Sequence, residues 1–321
     1  VQLLTLNGGK YIPYLFNSLR AQTFTDWKLY ILDNNSTDNT VEALKKELNN
    51  FTVQSELDLN KENIGFAGGH NQMLKKSDSE YVLFLNQDIF LDKFCLERLV
   101  NFLDNNDCAG VSPRLMKWNF PDNFTDEIDS LGLKVYKNRR VVDLIAQNSG
   151  AEAVEVFGIS GAMPMFRRKA LASVSFANGS LFDETYGSYK EDVDLAFRLQ
   201  SGGYKTYTVF SALAYHNRSS SSDLSVLPNK QMQPAHIKYS SYKNHLMTIY
   251  KNEYGQNFVL DFPWIVWYEL RKFVWFLLFD RMVLAGLKDI WNQRAELKNK
   301  RKEIKIKRRL NWREMRNKMR L

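Results

Sequence analysis

Cysteine is nearly absent: Cys95 and Cys108 are the only two among 321 residues. Two thiols cannot build a disulfide framework, and they read as reduced groups of a cytosolic chain. Long apolar runs are missing too. A helix that spans a bilayer needs about 20 consecutive apolar residues. The nearest candidate, Pro263–Trp291, is broken by Glu269, Arg271, Lys272, Asp280 and Arg281, and its longest clean run is Phe273–Phe279. That suits a buried or interfacial helix. No signal peptide and no internal repeat is visible.

Acid is scarce at one end only. The net charge is +8, yet Arg294–Leu321 carries 13 Lys and Arg against three Glu, a local +10 that leaves the other 293 residues at −2. Partner arguments from charge therefore apply to the tail and not to the body. What is present elsewhere is a globular composition. Hydrophobic residues make up 44% and charged residues 25%, which excludes disorder as the main theme. Aromatics at 13% suit carbohydrate, base or membrane-interface contacts.

The first half alternates short apolar runs with helical patterns, the signal for a largely parallel sheet wrapped by helices. Strands are expected at Val1–Leu6, Lys28–Asp33, Tyr81–Leu85, Ala109–Met116 and Tyr204–Tyr215. Helices are expected at Ile12–Ala21, Asp38–Leu48, Gly65–Lys76, Asp92–Asn105 and Glu191–Gln200. Polar loops with short antiparallel strands, near Leu131–Tyr136 and Arg140–Ile145, follow Trp118. The serine run Ser219–Ser222 reads as a boundary loop, which divides the chain into an α/β domain over 1–220 and a helical region over 221–321.

Functional groups in such sheets gather at the carboxyl ends of the strands. Here those ends carry Thr5 and Asn7, Asp33 and Asn34, and Asn86, Gln87 and Asp88. Asp33 can accept the imide N–H of uracil or thymine, whereas helix capping accounts for Thr37 or Asp38. Asp88 can bind a hard divalent cation that neutralises a diphosphate; the plainer account is a polar turn. Glu191-Asp192 opens a helix, where the dipole alone would explain two carboxylates of depressed pKa. The functional account makes them a general base for an acceptor hydroxyl. His216, one of four histidines, follows an apolar strand, a place where His is more often structural.

Taken in order, Leu4–Asn7, Asp33–Asp38, Asn63–Asn71, Leu85–Asp88, Ile159–Ala162, Phe182–Glu184 and Tyr189–Arg198 resemble the inverting glycosyltransferases of family 2, and among them the bacterial rhamnosyltransferases. The resemblance covers about residues 1–218. It implies a GT-A fold, a Rossmann-like mixed sheet that binds a nucleotide-sugar, followed by a helical extension. It also implies that Thr5, Asn7 and Asp33 hold the nucleotide, that Asn63, Gly65 and Phe66 shape the donor pocket, and that Asn86, Gln87 and Asp88 bind the donor, with Asp88 as the last Asp of the family's Asp-x-Asp metal motif. Asp192, with Glu191 beside it, would be the base, and His216 would join Asp88 on Mg2+ or Mn2+. The implied reaction is a single displacement from dTDP-rhamnose or a UDP-sugar to a saccharide or lipid-linked saccharide in cell-surface polysaccharide synthesis.

Two departures from the pattern stand out. Asn86 replaces the first Asp of the metal motif, which weakens the case for tight metal binding. The first strand begins abruptly at Val1, so the natural chain is expected to start upstream.

For the C-terminal quarter, Trp and Tyr beside basic residues in 263–321 suit a helix lying on a membrane surface, with the tail attracted to anionic lipid. This places the protein in the cytoplasm at the inner face of the cell membrane. An intramolecular helical pair is the plainer account. Three other functions compete. Nucleic-acid binding through the tail is disfavoured by the acidic body and the lack of a known module. A sugar-nucleotide-binding protein without catalysis is disfavoured by the retention of Asp33, Asp88 and Glu191-Asp192. A nucleotidyltransferase needs a long Gly-rich basic loop, and Asn7–Lys10 is too short.

Overall fold

The computed structural model describes residues 1–146, 151–218 and 234–319; the expected boundary loop Ser219–Ser222 lies outside them. The first half runs β1 (Gln2–Thr5), α1 (Ile12–Arg20), β2 (Leu29–Asp33), α2 (Thr40–Leu48), β3 (Ser55–Leu59), α3 (Gly65–Leu74), β4 (Tyr81–Asn86), β5 (Ile89–Leu91), α4 (Cys95–Asn105), β6 (Gly110–Asn119) and β7 (Asn123–Ser130). Next come β8 (Leu133–Val135), β9 (Val141–Asp143), β10 (Ala153–Val156), β11 (Met165–Arg167), α5 (Arg168–Val174), α6 (Glu191–Ser201) and β12 (Thr206–His216).

The main sheet is mixed, in the order β10-β12-β6-β11-β4-β1-β2-β3, with β5 added to β12 and β7 to β6. Strands β4, β1, β2 and β3 are parallel, and β11 runs against both β4 and β6. Helices on both faces explain the unbroken apolar run of β4. Leu83 and Leu85 join a core with α1, α2 and α4, while Val82 and Phe84 join a second core with α3, α5 and α6. A strand buried on both sides needs apolar residues at every position, each fully buried Leu or Phe contributing roughly 1.5–3 kcal/mol.

All five expected strands and all five expected helices form, with ends shifted by a few residues. The β8–β9 hairpin forms a separate small sheet where short antiparallel strands were expected. Strands β3, β5 and β7 were not foreseen. Strands β3 and β7 are polar and largely exposed or half-exposed, with no hydrophobic run, and β5 is apolar but only three residues long.

The C-terminal quarter is helical: α7 (Ala235–Asn252), α8 (Gly255–Phe279), α9 (Ala285–Asn292), α10 (Arg294–Lys307) and α11 (Trp312–Lys318). No described helix is long and apolar enough to cross a membrane. These helices fold back onto the sheet domain. Met315 and Met319 pack with Phe157, Val193 and Phe197, and buried Arg139 pairs with Glu253 and Asp261. Part of the basic tail is therefore used internally: Lys300 pairs with Asp183, Arg316 with Asp261 and Lys318 with Glu155.

Candidate active site

The carboxyl ends of β4, β1 and β2 lie side by side, and the loops that leave them are laced together. Thr5 and Asp33 face each other across the β1–β2 register. Thr5 Oγ1 donates to Asp33 Oδ1 at 2.9 Å, and Ser36 donates to the same carboxylate through its N–H (2.8 Å) and its Oγ (2.6 Å). Asn7 takes a left-handed backbone (φ 49°), accepts the Thr37 N–H at 2.8 Å and donates its own N–H to Ser36 Oγ. Gln87 is clamped at both ends of its amide by the backbone of Leu6. Capping of α2 differs from expectation. Its N-cap is Asn39, without a side-chain cap bond, and Asp38 instead accepts the N–H groups of Gly9 and Thr40.

Asn63 Oδ1 accepts from the Gly65 N–H and from Asn34 Nδ2, both at 2.9 Å. Gly65 sits at φ +74°, and a Cβ there would lie 2.5 Å from the Gly187 carbonyl oxygen; only glycine fits. This close approach joins the β3–α3 loop to the segment before α6. Ala67 N–H donates to Gly187 O, and Phe66 N–H to Ser188 Oγ.

Asp88 follows β4 and is buried. The pairing of His216 with Ile89 brings the imidazole Nε2 to 3.5 Å from Asp88 Oδ1, while Nδ1 donates to Asp129 Oδ2 at 2.9 Å. Burial alone would lower the His216 pKa, but Asp88 and Asp129 overcome it and raise it to about 9. A carboxylate holding the far nitrogen of an imidazole is the usual support of a metal-binding His. Among the described residues no group of three side chains could enclose an ion. One carboxylate and one imidazole fit a divalent cation whose remaining ligands are phosphate oxygens and water.

Glu191 and Asp192 open α6 after two consecutive left-handed residues, Tyr189 (φ 74°) and Lys190 (φ 71°). Such backbone costs about 1–3 kcal/mol per residue, so something must hold it. Asn244 of α7 does: its Nδ2 donates to the carbonyls of Tyr186 (3.0 Å), Ser188 (3.0 Å) and Tyr189 (2.7 Å). Behind it, Lys251 of α7 and Lys300 of α10 each reach Asp183 at 2.6 Å, and Lys251 also reaches Asp194 at 3.1 Å.

The two carboxyls are raised in pKa, against the depression that a helix dipole would give. Burial pushes Glu191 up to about 8, with the Asp192 charge adding to it, and burial also raises Asp192. Glu191 Oε2 is buried without a hydrogen-bond partner among the described residues. Asp192 is half-buried and its Oδ2 accepts the Gly161 N–H at 3.2 Å. The adjacent Ala162 carbonyl accepts the Asn86 N–H at 3.0 Å. One dipeptide, Gly161-Ala162, thus bridges Asp192 and the end of β4. Asn34, Ser36, Asp129 and Asn244 were not singled out as site residues. Asn34 and Ser36 lie inside a noted motif, whereas Asp129 and Asn244 carry no local signal.

The description Glycosyl transferase family 2 matches residues 1–174, more than half of the chain and ending before α6. The poly(ribitol-phosphate) β-N-acetylglucosaminyltransferase TarS of Staphylococcus aureus is 33% identical over 105 residues, 32% of this chain and 18% of that protein. The O-antigen chain rhamnosyltransferase RfbN of Salmonella typhimurium is 23% identical over 222 residues, 67% of this chain and 65% of that one. The chain thus spans less than a fifth of the first relative and 65% of the second. A solved mannosyltransferase from Pyrobaculum calidifontis, in complex with GDP-Man and Mn2+, shares the fold with a TM-score of 0.54 at 16% identity, over 91% of this chain and 74% of that one. The architecture is the mixed α/β GT-A arrangement that the motifs implied.

Proposed function

The chain belongs to glycosyl transferase family 2, and from that premise we propose that it moves a sugar, with inversion, from a nucleoside diphosphate donor to a saccharide acceptor in cell-surface polysaccharide synthesis. The observation that carries this reading is the Gly161-Ala162 bridge, which ties a basic carboxylate to the strand end bearing Asp88.

Asp192 takes the proton of the acceptor hydroxyl. The hydroxyl oxygen bonds to the anomeric carbon as the bond from that carbon to the diphosphate breaks, and the nucleoside diphosphate leaves. Asp192 suits the role better than Glu191 because it is partly open, whereas burial, with the Asp192 charge adding to it, pushes Glu191 up to about 8. A carboxylate has about four acceptor positions. Three of those on Asp33 are filled by Thr5 and Ser36, which leaves one for the imide N–H of a pyrimidine. Asn63, Gly65 and Phe66 border the sugar, and Asn86, Gln87 and Asp88 the diphosphate. Asp88 and His216 would hold Mg2+ or Mn2+. When bound, such an ion neutralises charge on the departing diphosphate.

The best candidate donor is dTDP-rhamnose. Support comes from the resemblance of the motifs and from the rhamnosyltransferase RfbN, with which 67% of this chain aligns; UDP-sugars are the next choice. The exposed band of α8, including Trp264, Trp267, Leu278 and Phe279, supports peripheral placement at the inner face of the cell membrane with a lipid-linked acceptor. Thermal shift and hydrolysis assays against dTDP-rhamnose, UDP-sugars and GDP-mannose, with and without Mg2+ or Mn2+, test the reading. A stabilising donor that is slowly hydrolysed is expected, and no response to any nucleotide would overturn it.

A further inference from the structure

Beside the segment that carries Glu191 and Asp192, α7, α8 and the β8–β9 hairpin enclose a cavity of about 370 Å3. Four cations line it: Arg140, Lys190, Lys238 on α7 and Lys272 on α8. No Asp or Glu is among its lining residues. Two carboxylates lie close by, and each is engaged. Asp280 pairs with Lys238 at 2.6 Å, and Glu269 pairs with His245 at 2.7 Å and with Lys272 at 3.7 Å. Lys190 lies next in sequence to Glu191 and Asp192 and contributes to their field. Neither it nor Arg140 has a carboxylate within ion-pair distance among the described residues.

Burial brings the Lys272 ammonium down to about 8, with the Glu269 charge opposing and the nearby Lys190 charge adding a smaller push in the same direction as burial. Lys238 and Lys272 are already paired, but Arg140 and Lys190 stand in this partly enclosed space without a carboxylate ion pair among the described residues, which is unfavourable unless a ligand supplies the anion. Most of the rest of the wall is aromatic. Tyr268 and Trp275 line the cavity, and Lys272 lies 5.0 Å from the Tyr268 ring centroid and Lys238 5.7 Å from that of Trp275. Aromatic rings present broad apolar faces on which the C–H face of a pyranose can lie. The nucleotide pocket is elsewhere, at the ends of β1, β2 and β4.

We propose that this cavity is the acceptor subsite and that the acceptor is a phosphate-bearing saccharide, its phosphate held by Arg140, Lys190 and Lys272 and its ring against Tyr268 or Trp275. The proposal rests on the transferase reading and adds the acceptor's chemical class to it. Lys190 lines the cavity and its charge acts on the Asp192 carboxylate, which ties the cavity to the proposed base. A soluble sugar phosphate and a lipid-linked sugar diphosphate share this chemistry.

Calorimetric titration of the full chain, first saturated with UDP or dTDP so that the donor site is filled, tests the idea. Glucose 1-phosphate is expected to bind at least tenfold more tightly than methyl glucoside. The double variant R140A/K272A is expected to lose at least tenfold in that affinity while its nucleotide affinity stays within twofold, and R140Q/K272Q, which keeps side-chain volume, should behave the same way. Farnesyl-diphosphate-glucose in phosphatidylcholine vesicles separates the sources: tighter binding than glucose 1-phosphate marks a lipid-linked acceptor, and equal binding a soluble one. Equal affinity for the phosphate and the neutral glycoside, or unchanged affinity in both variants, overturns the proposal. Failure of both nucleotides to bind the wild type would instead count against the transferase reading itself.

Discussion

The two halves of the site are held in different ways. The half proposed to hold the nucleotide, at the ends of β1, β2 and β4, is braced by its own loops: Thr5, Asn7, Asp33 and Ser36 bond to one another, and Gln87 clamps Leu6. The half that bears Glu191 and Asp192 is braced from outside, by Asn244 on α7 and by the Lys251 and Lys300 ammoniums on Asp183. A self-braced half tolerates changes in the rest of the chain. An externally braced half makes the placement of Glu191 and Asp192 depend on the C-terminal helices.

Breaking the brace outright should have the largest effect. Lys251 is fully buried between Asp183 and Asp194, so Lys251→Met leaves buried carboxylate charge short of a partner, a loss of about 3–5 kcal/mol. Urea unfolding should show it, and a loss under 1 kcal/mol would mean that the network is not holding the segment. A gentler change separates the halves. Asn244→Leu removes the amide that the carbonyls of Tyr186, Ser188 and Tyr189 share and should lower kcat about 10–100-fold, the scale of a misplaced catalytic group. Nucleotide affinity should stay within twofold, and an equal loss of both would erase the distinction.

The smallest effect concerns pH. Glu191 is raised from 4.5 to about 8 in the folded chain. Between those values the unfolded chain releases this proton while the folded chain keeps it, so stability falls as pH rises through that window. Glu191→Gln lacks this term. Its melting temperature should gain a few degrees on the wild type between pH 5 and pH 8, and a constant difference would show that Glu191 ionises normally.

The same contrast explains what the sequence could reveal. The half proposed to hold the nucleotide is built from contiguous motifs at strand ends, so the place of Thr5, Asn7, Asp33 and Asp88 in the fold was legible in the chain, as was the continuous strand that ends at Asn86. Asp129 could not, because it reaches His216 only through the β6–β7 pairing, and β7 is polar and exposed along most of its length. Asn244 was hidden for the same reason, since the carbonyls it holds lie 55 to 58 residues away. The basic tail was legible as charge, but its use was not: Lys300 and Arg316 answer carboxylates distant in sequence. The pKa direction at Glu191-Asp192 also escaped a local reading, because burial by the surrounding structure outweighs the helix dipole.

The central claim is that Asp192 removes the acceptor proton while the nucleotide half works independently of it. Asp192→Asn, measured once a donor and an acceptor are in hand, tests it by two readouts on one variant. Turnover is expected to fall by about 10²–10⁴ with the affinity for nucleoside diphosphate within twofold of the wild type. Turnover close to the wild-type value would contradict the account.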